Sequence, residues 1–576
     1  MNRNLKPGSA VCVFVLSIFA ACDDGTMPYN GDPAPGDSIL GYFEETVAEA
    51  LADNTGDHEE GSDYAWSPEN VVHITLDGNS IAVDGTGAIV EGSVVTIDSA
   101  GTYEVSGSLA DGRLIVDTAD TGIVRLILDG ADIHSSTSSP VSIYGARKAI
   151  IVLADLSENR LSDQNTYVYD YPDEKEPNAT LFSRSDLTIC GSGALSVEGH
   201  FKGGVSGKAG LLLRSGAIAV HAPGNGIKGG DYIVVRGGDI GVASGSDGLK
   251  SDGTDADRGY VYIENGAVTV VSEEDGIQAE SDALIAGGSI DITSGGGSDY
   301  TVGEDESAKG IKAGTRLIID GGSIAIDSAE DGLRSGERIV VNGGGRLIAC
   351  SDDGIQSDFT IGMNGGTTEI TKCTEGVESP LISIAGGEIR IESSDDGLNA
   401  AKSDANYLYI SGGYVYVNAY GDAIDANGSI LMTGGTVIVN GPSLEGDAAI
   451  DYDETFGITG GFLLAVGSPG MAQGPDKSST QYSVIVRLGM PVPAGTLINM
   501  RTGEGEDLFT FSPTKSYAST VFSSPDLEKG AICTLYYGGG ATGDEVDGLY
   551  EGGAYTPGTV AAVFAISEIV TIINVD

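Results

Sequence analysis

The chain has 576 residues, of which 88 are Gly and 40% are apolar, and its 84 acidic against 30 basic side chains give a formal charge of −54. The glycines carry no collagen period and the apolar content suffices for an extensive core, which excludes a collagen-like or disordered chain. A charge this negative repels nucleic acid and anionic membrane surfaces, and leaves cations as the natural partners.

At the N-terminus, Arg3 and Lys6 precede an apolar run from Ala10 to Ala21 and then Cys22. The run is too short for a spanning helix and has the layout of a secretory signal. Phe19-Ala20-Ala21-Cys22 resembles a bacterial lipobox, with Phe where Leu is usual. On this reading residues 1–22 are a lipoprotein signal, Cys22 is lipidated, and the mature protein is tethered outside the cytoplasm at the bacterial membrane or cell surface; a plain secretory signal cut near Ala21 is the alternative. Residues 23–65, rich in Asp, Glu, Gly and Pro, are expected as an acidic flexible linker with one short helix around Ile39 to Leu51.

From Trp66 the pattern turns to short strands, as in HITLDGNSIAVDG and GRLIVDTADTGIVRLILDGADIHS, which are expected to form the first rungs and cap a core. The segment Tyr167 to Asn178 is expected as a protruding loop. Ten near-copies follow between Gly224 and Asp453, among them SDGLKSD, EDGIQAE, EDGLRSG, DDGIQSD and DDGLNAA, with 22 residues as the commonest interval. That spacing is a solenoid period. Gly-Gly pairs at Gly287, Gly321, Gly343, Gly365 and Gly386 punctuate the units, and the stretches between alternate apolar with polar residues. A unit this small buries its apolar face only by stacking on the next, and the corners call for φ > 0, which Gly reaches freely. The expected fold is all-β, a right-handed parallel β-helix over residues 66–480. Roughly a dozen rungs at ~4.8 Å would make a rod on the order of 55 to 60 Å long. Ser294 to Ser307 lengthens one rung, and residues 481–576, where the cadence has stopped, are expected as a C-terminal β module or cap.

Stacked rungs place equivalent residues in columns. Asp247, Asp275, Asp331, Asp353 and Asp396, with Glu375, then form an acidic row that Lys309 interrupts. Bare carboxylates ~5 Å apart repel by roughly 1 kcal/mol in water and ~3 to 4 kcal/mol at an effective ε of about 20. Calcium, which takes six to eight oxygen ligands, suits such a row, so Asp247, Asp275, Asp331, Asp353 and Asp396 are candidate Ca2+ ligands. The alternative is that Asp merely suits a turn beside Gly. A second row, Lys228, Lys250, Gln278, Lys312, Arg334, Gln356, Glu378 and Asn399, begins basic and ends polar or acidic. Lys228, Lys250, Lys312 and Arg334 are suited to an anionic polysaccharide beside bound calcium; salt bridges that neutralise the Asp row explain them as well. Tyr407, Tyr409, Tyr414 and Tyr416 take the outward parity of NYLYISGGYVYVNAY, as Tyr260 and Tyr262 do in GYVYIENG, and offer faces for sugar rings. Cys350 and Cys373 are almost one rung apart and are candidates for a bridge, while the absence of CxxC spacing speaks against a zinc cluster. No HExxH, P-loop or nucleotide fingerprint occurs.

The block ITLDGNSIAVDG…VVTIDSAGTYEVSGSLADGRLIVD…VRLILDGADIHSSTSSPVSIYGARKAIIVLAD, the GNGIKGGDYIVVRGGDI cadence and the C-terminal VFSSPDLEKGAICTLYYGGG resemble the bacterial carbohydrate-binding domain-containing proteins, over about Thr75 to Gly540. The resemblance implies a right-handed parallel β-helix like that of polysaccharide lyases, bound calcium, and binding of plant-wall polysaccharide such as cellulose or polygalacturonate. The expected function is therefore non-catalytic, calcium-dependent polysaccharide binding by a lipid-anchored, monomeric protein. Two other readings stand beside it: a pectate-lyase-like enzyme with Lys250, Lys312 or Arg334 as base, and a structural surface adhesin.

Overall fold

The alternation read from the sequence closes into coils of three short strands. In one coil these are Leu333–Ser335, Arg338–Val341 and Gly345–Cys350, and the corner at residues 351–354 leads into the next. The computed structural model describes residues 43–169, 175–303, 305–401, 403, 406–443, 446–470 and 472–575. Cys22 lies outside them. The coils stack into a parallel β-solenoid of about 15 turns with about 24 residues per turn. This exceeds the count of Asp-Gly units because upstream strands without that cadence coil in the same way, as in the register Val141, Leu181, Val205, Ile227.

Three faces result. The first carries the short strands after each Asp-Gly corner, and its inward column runs Leu249, Ile277, Ile311, Leu333, Ile355, Val377, Leu398 in direct register. Each of these side chains is at most 1% exposed, a burial worth about 1.5–3 kcal/mol per residue. At the corner, the Ser272, Ser328 and Ser393 hydroxyls donate to the carbonyls of Glu274, Glu330 and Asp395 at 2.8, 3.1 and 3.2 Å, which fixes the turn that presents the Asp. Cys350 takes the same role toward Asp352 O at 3.4 Å, and Cys373 turns to Glu392 O, also at 3.4 Å. Both thiols are buried and free, so the bridge considered from their spacing is not formed.

The glycines divide the labour differently from the expectation. The second Gly of each of these pairs does take positive φ, from 76° at Gly366 to 92° at Gly288. The Asp-Gly glycines do not; they are required by close stacking. A Cβ on Gly310 would stand 2.5 Å from Ile326 Cγ2 and 2.6 Å from the Gly332 carbonyl oxygen. A Gly310→Ala variant is therefore expected to cost about 1–3 kcal/mol, read as a lower urea midpoint and faster amide exchange in the adjoining coils.

Residues 43–65 are not a free spacer. A helix spans Val47–Asp53, closed by a capping box between Thr46 and Glu49, and buries Val47 and Ala50. The segment then runs as a strap along the second face against the coil order: Phe43 O accepts from Asn364 Nδ2 at 2.7 Å, Thr55 O from Tyr260 OH at 2.9 Å, and Asp63 O from Arg125 Nε at 2.7 Å. Glu45 pairs with Arg316 at 2.8 Å and with Arg338 at 2.5 Å. The second face is suited to a cover because strands such as YIVV, YVYI and RLII are apolar on both sides. Tyr260 and Tyr262, expected as outward sugar platforms, are 1% and 8% exposed because the strap lies over them.

After Gly467 the chain reverses. Strand Phe462–Gly467 pairs antiparallel with Tyr517–Ser523, and Ile498–Thr502, Asp507–Phe511, Ile532–Tyr537 and Thr559–Ala565 build a separate antiparallel sheet. Its Phe509, Phe511 and Leu535 pack with Tyr416, Ile438 and Leu464 of the last coils, so this unit sits on the third face.

Candidate functional site

The corner column is continuous in the backbone. Gly226, Gly248, Gly276, Gly310, Gly332, Gly354, Gly376 and Gly397 donate to the carbonyls of Asp247, Asp275, Lys309, Asp331, Asp353, Glu375, Asp396 and Asp422 at 2.8–3.0 Å. The acidic row and its Lys309 interruption therefore stack as the repeat implies. The side chains do not project into water: Asp247, Asp275 and Asp331 are each 2% exposed and Asp353 is 5%. One carboxylate oxygen is used by the fold. Asp275 Oδ1 accepts from Lys309 N at 2.9 Å and Asp396 Oδ1 from Asp422 N at 2.7 Å, so each Asp ties its corner to the next.

The other oxygen faces the second row, whose register is Lys228, Lys250, Gln278, Lys312, Arg334, Gln356, Glu378, Asn399, Asp425. In the N-terminal half this row, together with Lys309 of the corner column, neutralises the first. Lys250 Nζ lies 2.6 Å from Asp247 Oδ2, Lys312 Nζ 3.4 Å from Asp275 Oδ2, and Lys309 Nζ 3.4 Å from Asp331 Oδ2. Arg334 reaches Asp331 at 3.9 Å and Asp358 at 2.7 Å, and Lys228 pairs with Asp252. Burial pulls the Lys250 ammonium down, but its hydrogen bond to Asp247 and that carboxylate's charge outweigh burial and raise its pKa. A base must shed its proton near neutral pH, so Lys250 is poorly placed as one.

Further along, the second row offers Gln356, Glu378 and Asn399 where it had offered Lys and Arg. Gln356 Nε2 donates to both Asp353 Oδ2 and, at 2.5 Å, Glu378 Oε2. Oxygens of Asp331, Asp352 and Asp353 lie within 4.8 Å of one another, as do those of Asp353, Glu375 and Glu378. Burial, then the charges of Asp331 and Glu378, push the Asp353 carboxyl up to about 9. Burial likewise raises Asp331, and carries Asp396 to about 7 and Asp422 and Asp425 to about 6. The donor set is all oxygen, which suits a hard cation. Asn399, 7% exposed, gives its Nδ2 to Glu375 Oε2 at 2.8 Å and keeps a buried Oδ1 without a hydrogen-bond partner. Beside this cluster runs a cleft of about 440 Å3 lined by Lys312, Arg334, Gln356, Asp331 and Asp352.

Of the predicted metal residues, then, Asp331 and Asp353 share a cluster, Asp247 and Asp275 are paired with lysines, and Asp396 belongs to a second acidic stretch further along the column. Asp352, Glu375 and Glu378 were not picked out as ligands; the Asp352-Asp353 doublet was their sequence signal. The four tyrosines do not form one platform. Tyr407 and Tyr409 are half-buried on the second face. Tyr414 OH donates to Asp547 at 2.8 Å, and Tyr416 is only 7% exposed under the C-terminal sheet. Their outward parity holds, but the C-terminal unit occupies the surface that Tyr414 and Tyr416 face.

The model of the carbohydrate-binding domain-containing proteins matches this chain at residues 91–354 and 345–467. A carbohydrate-binding domain-containing protein of Acetivibrio thermocellus is 35% identical over 150 residues, which is 26% of this chain and 52% of that protein, so the match spans about half the relative's length. A solved structure of a polysaccharide lyase-like protein from C. thermocellum, a gadolinium derivative, is similar at 31% identity and a TM-score of 0.36, over 38% of this chain and 94% of that one. With most of its coils matched by the family model, the chain belongs to the carbohydrate-binding domain-containing proteins.

Proposed function

We propose that the protein holds an acidic polysaccharide such as polygalacturonate, in a calcium-dependent manner, along the first face. The observation that carries this reading is the crowding of carboxylate oxygens from Asp331, Asp352, Asp353, Glu375 and Glu378 beside a cleft edged by Lys312 and Arg334. Those five carboxylates would hold the ion, and bound calcium supplies positive charge shared between the protein's carboxylates and those of the polymer. Lys312 and Arg334 orient a uronate by direct pairing. The coil spacing of ~4.8 Å is close to the length of one pyranose unit, so an extended polymer meets one row member per coil. A neutral glucan such as cellulose has less use for a row of charges. The anchor is Cys22 of the lipobox-like segment, which places the binding face outside a bacterial cell.

Affinity electrophoresis through polygalacturonate, in calcium and then in EDTA, tests the reading. Retardation is expected in calcium, reduced about tenfold or more in affinity by Lys312→Gln combined with Arg334→Gln and by Asp353→Asn combined with Glu375→Gln, with the polymer recovered uncleaved. Equal retardation in EDTA, or none in calcium, overturns it.

A further inference from the structure

The first-face row has a different character upstream of Asp247. One and two coils earlier the corners read Pro223-Gly224-Asn225 and Phe201-Lys202-Gly203, so the carboxylate column stops. These corners are in stack, with Gly224 N donating to Lys202 O at 2.8 Å and Gly204 N to Asn225 O at 3.1 Å. A hollow of about 320 Å3 opens there, lined by Asn178, Phe201, Lys202, Pro223, Asn225 and Lys228. A Cβ on Gly224 would stand 3.0 Å from the Lys202 carbonyl oxygen, so glycine keeps the floor at backbone level.

The walls are held in place. The half-buried Phe201 ring stacks on Tyr167 with centroids 4.4 Å apart at 23°, and Tyr167 OH donates to the buried Asp163 Oδ2 at 2.5 Å. Lys202 Nζ sits 5.0 Å from the Phe201 centroid and is exposed. Among the described residues it has no carboxylate partner, although acidic side chains outnumber basic ones 84 to 30. Lys228, on the opposite wall, is already paired with Asp252. The Asn178 side-chain oxygen is buried without a hydrogen-bond partner.

We infer that this hollow is a metal-independent subsite for one acidic sugar of the polymer. The sugar's apolar face lies on Phe201, its carboxylate pairs with Lys202 and then Lys228, and a hydroxyl donates to Asn178. The inference rests on the proposed function for the class of ligand and adds a second, cation-built contact to it. From Lys228 the register passes through Lys250 and Gln278 to Lys312. That is three coils, or about 14 Å, so one polymer chain reaches both this subsite and the calcium cleft.

Calorimetric titration of the full chain with trigalacturonate, and with its methyl ester, separates the two contacts. In EDTA the acid is expected to bind weakly and the ester not at all. Lys202→Gln, an exposed change that leaves packing intact, and Phe201→Ala are each expected to weaken EDTA binding about tenfold, whereas Asp353→Asn with Glu375→Gln leaves it unchanged. Absence of binding in EDTA, or EDTA binding indifferent to Lys202→Gln, overturns the subsite and leaves the calcium cleft standing. Binding in EDTA that calcium does not strengthen overturns the cleft and leaves the subsite.

Discussion

Stripped of divalent ions, the protein is expected to lose stability steadily as pH rises from about 5 to about 9, and millimolar calcium at pH 8 is expected to restore it. The sign follows from the acidic half of the corner column. A carboxyl whose folded pKa lies above its unfolded value of about 3.9 contributes stability that is complete below that value and is lost as pH rises through the folded pKa. Burial carries Asp422 and Asp425 to about 6, Asp396 to about 7 and Asp353 to about 9, so their losses begin together above the unfolded value and end in succession, the last near pH 9. Carboxylates held low by a cation, such as Asp299 beside Lys372, protonate below it and do not interfere. Calcium acts oppositely because it binds the ionised form: at about 100 times its Kd, one site adds about 2.7 kcal/mol. Asp353→Asn makes the test specific. Asn retains a carbonyl oxygen and needs no proton to stay neutral, so the chelated variant should melt above the chelated wild type at pH 8 while responding far less to calcium. Thermal melts in EDTA and in calcium at three pH values check both effects. A chelated protein whose melting point is flat from pH 5 to 9 would show that the column needs no cation.

The repeat made the solenoid, the stacking order and both rows legible, since a 22-residue period and the Asp-Gly corners fix which residues share a column. Three features were not legible, each for a physical reason. The burial of Asp275 and Asp331 goes with one oxygen capping the next corner's backbone, a contact between coils that no single unit displays. The need for glycine at Gly310 comes from Ile326 and Gly332 of the neighbouring coil and leaves no trace in local backbone preference. Outward parity was right for Tyr260, Tyr262, Tyr414 and Tyr416, yet parity says nothing about what covers a face. The covering segments, residues 43–65 and the C-terminal sheet, are remote in sequence from the strands they protect. The two-sided apolar strands YIVV and RLII did announce a cover without naming it. The grading of the first face, by contrast, is written in the second row: where Lys and Arg give way to Gln356, Glu378 and Asn399, carboxylate oxygens gather around Asp353.

The largest single-residue effect is expected where the strap enters the first coils. Asp63 is 0% exposed and Lys148 2%, and they meet at 2.9 Å, with Asp63 Oδ2 also accepting from Glu60 N at 2.8 Å. Asp63→Ala leaves the Lys148 ammonium buried with only the His58 carbonyl and the more distant Glu60, 3.7 Å away, to solvate it. Breaking a buried pair from one side costs about 3–5 kcal/mol. A solenoid unfolds in neighbouring units, so the loss is local before it is global: the strap should lift from Tyr232, Tyr260 and Tyr262 first. Limited proteolysis by a Glu-specific protease reads this directly, with cleavage at Glu59 and Glu60 appearing in the variant at temperatures where the wild type is resistant. Replacing both partners, Asp63→Leu with Lys148→Met, removes the stranded charge along with its partner and is expected to recover most of the lost resistance, since well-packed apolar residues commonly equal a buried ion pair. If Asp63→Ala protected the strap as well as the wild type does, the buried pair would have no part in holding it, and the strap's other contacts, among them the Glu45 ion pairs and the hydrogen bonds of Tyr232 OH with His58 N and of Tyr260 OH with Thr55 O, would carry it.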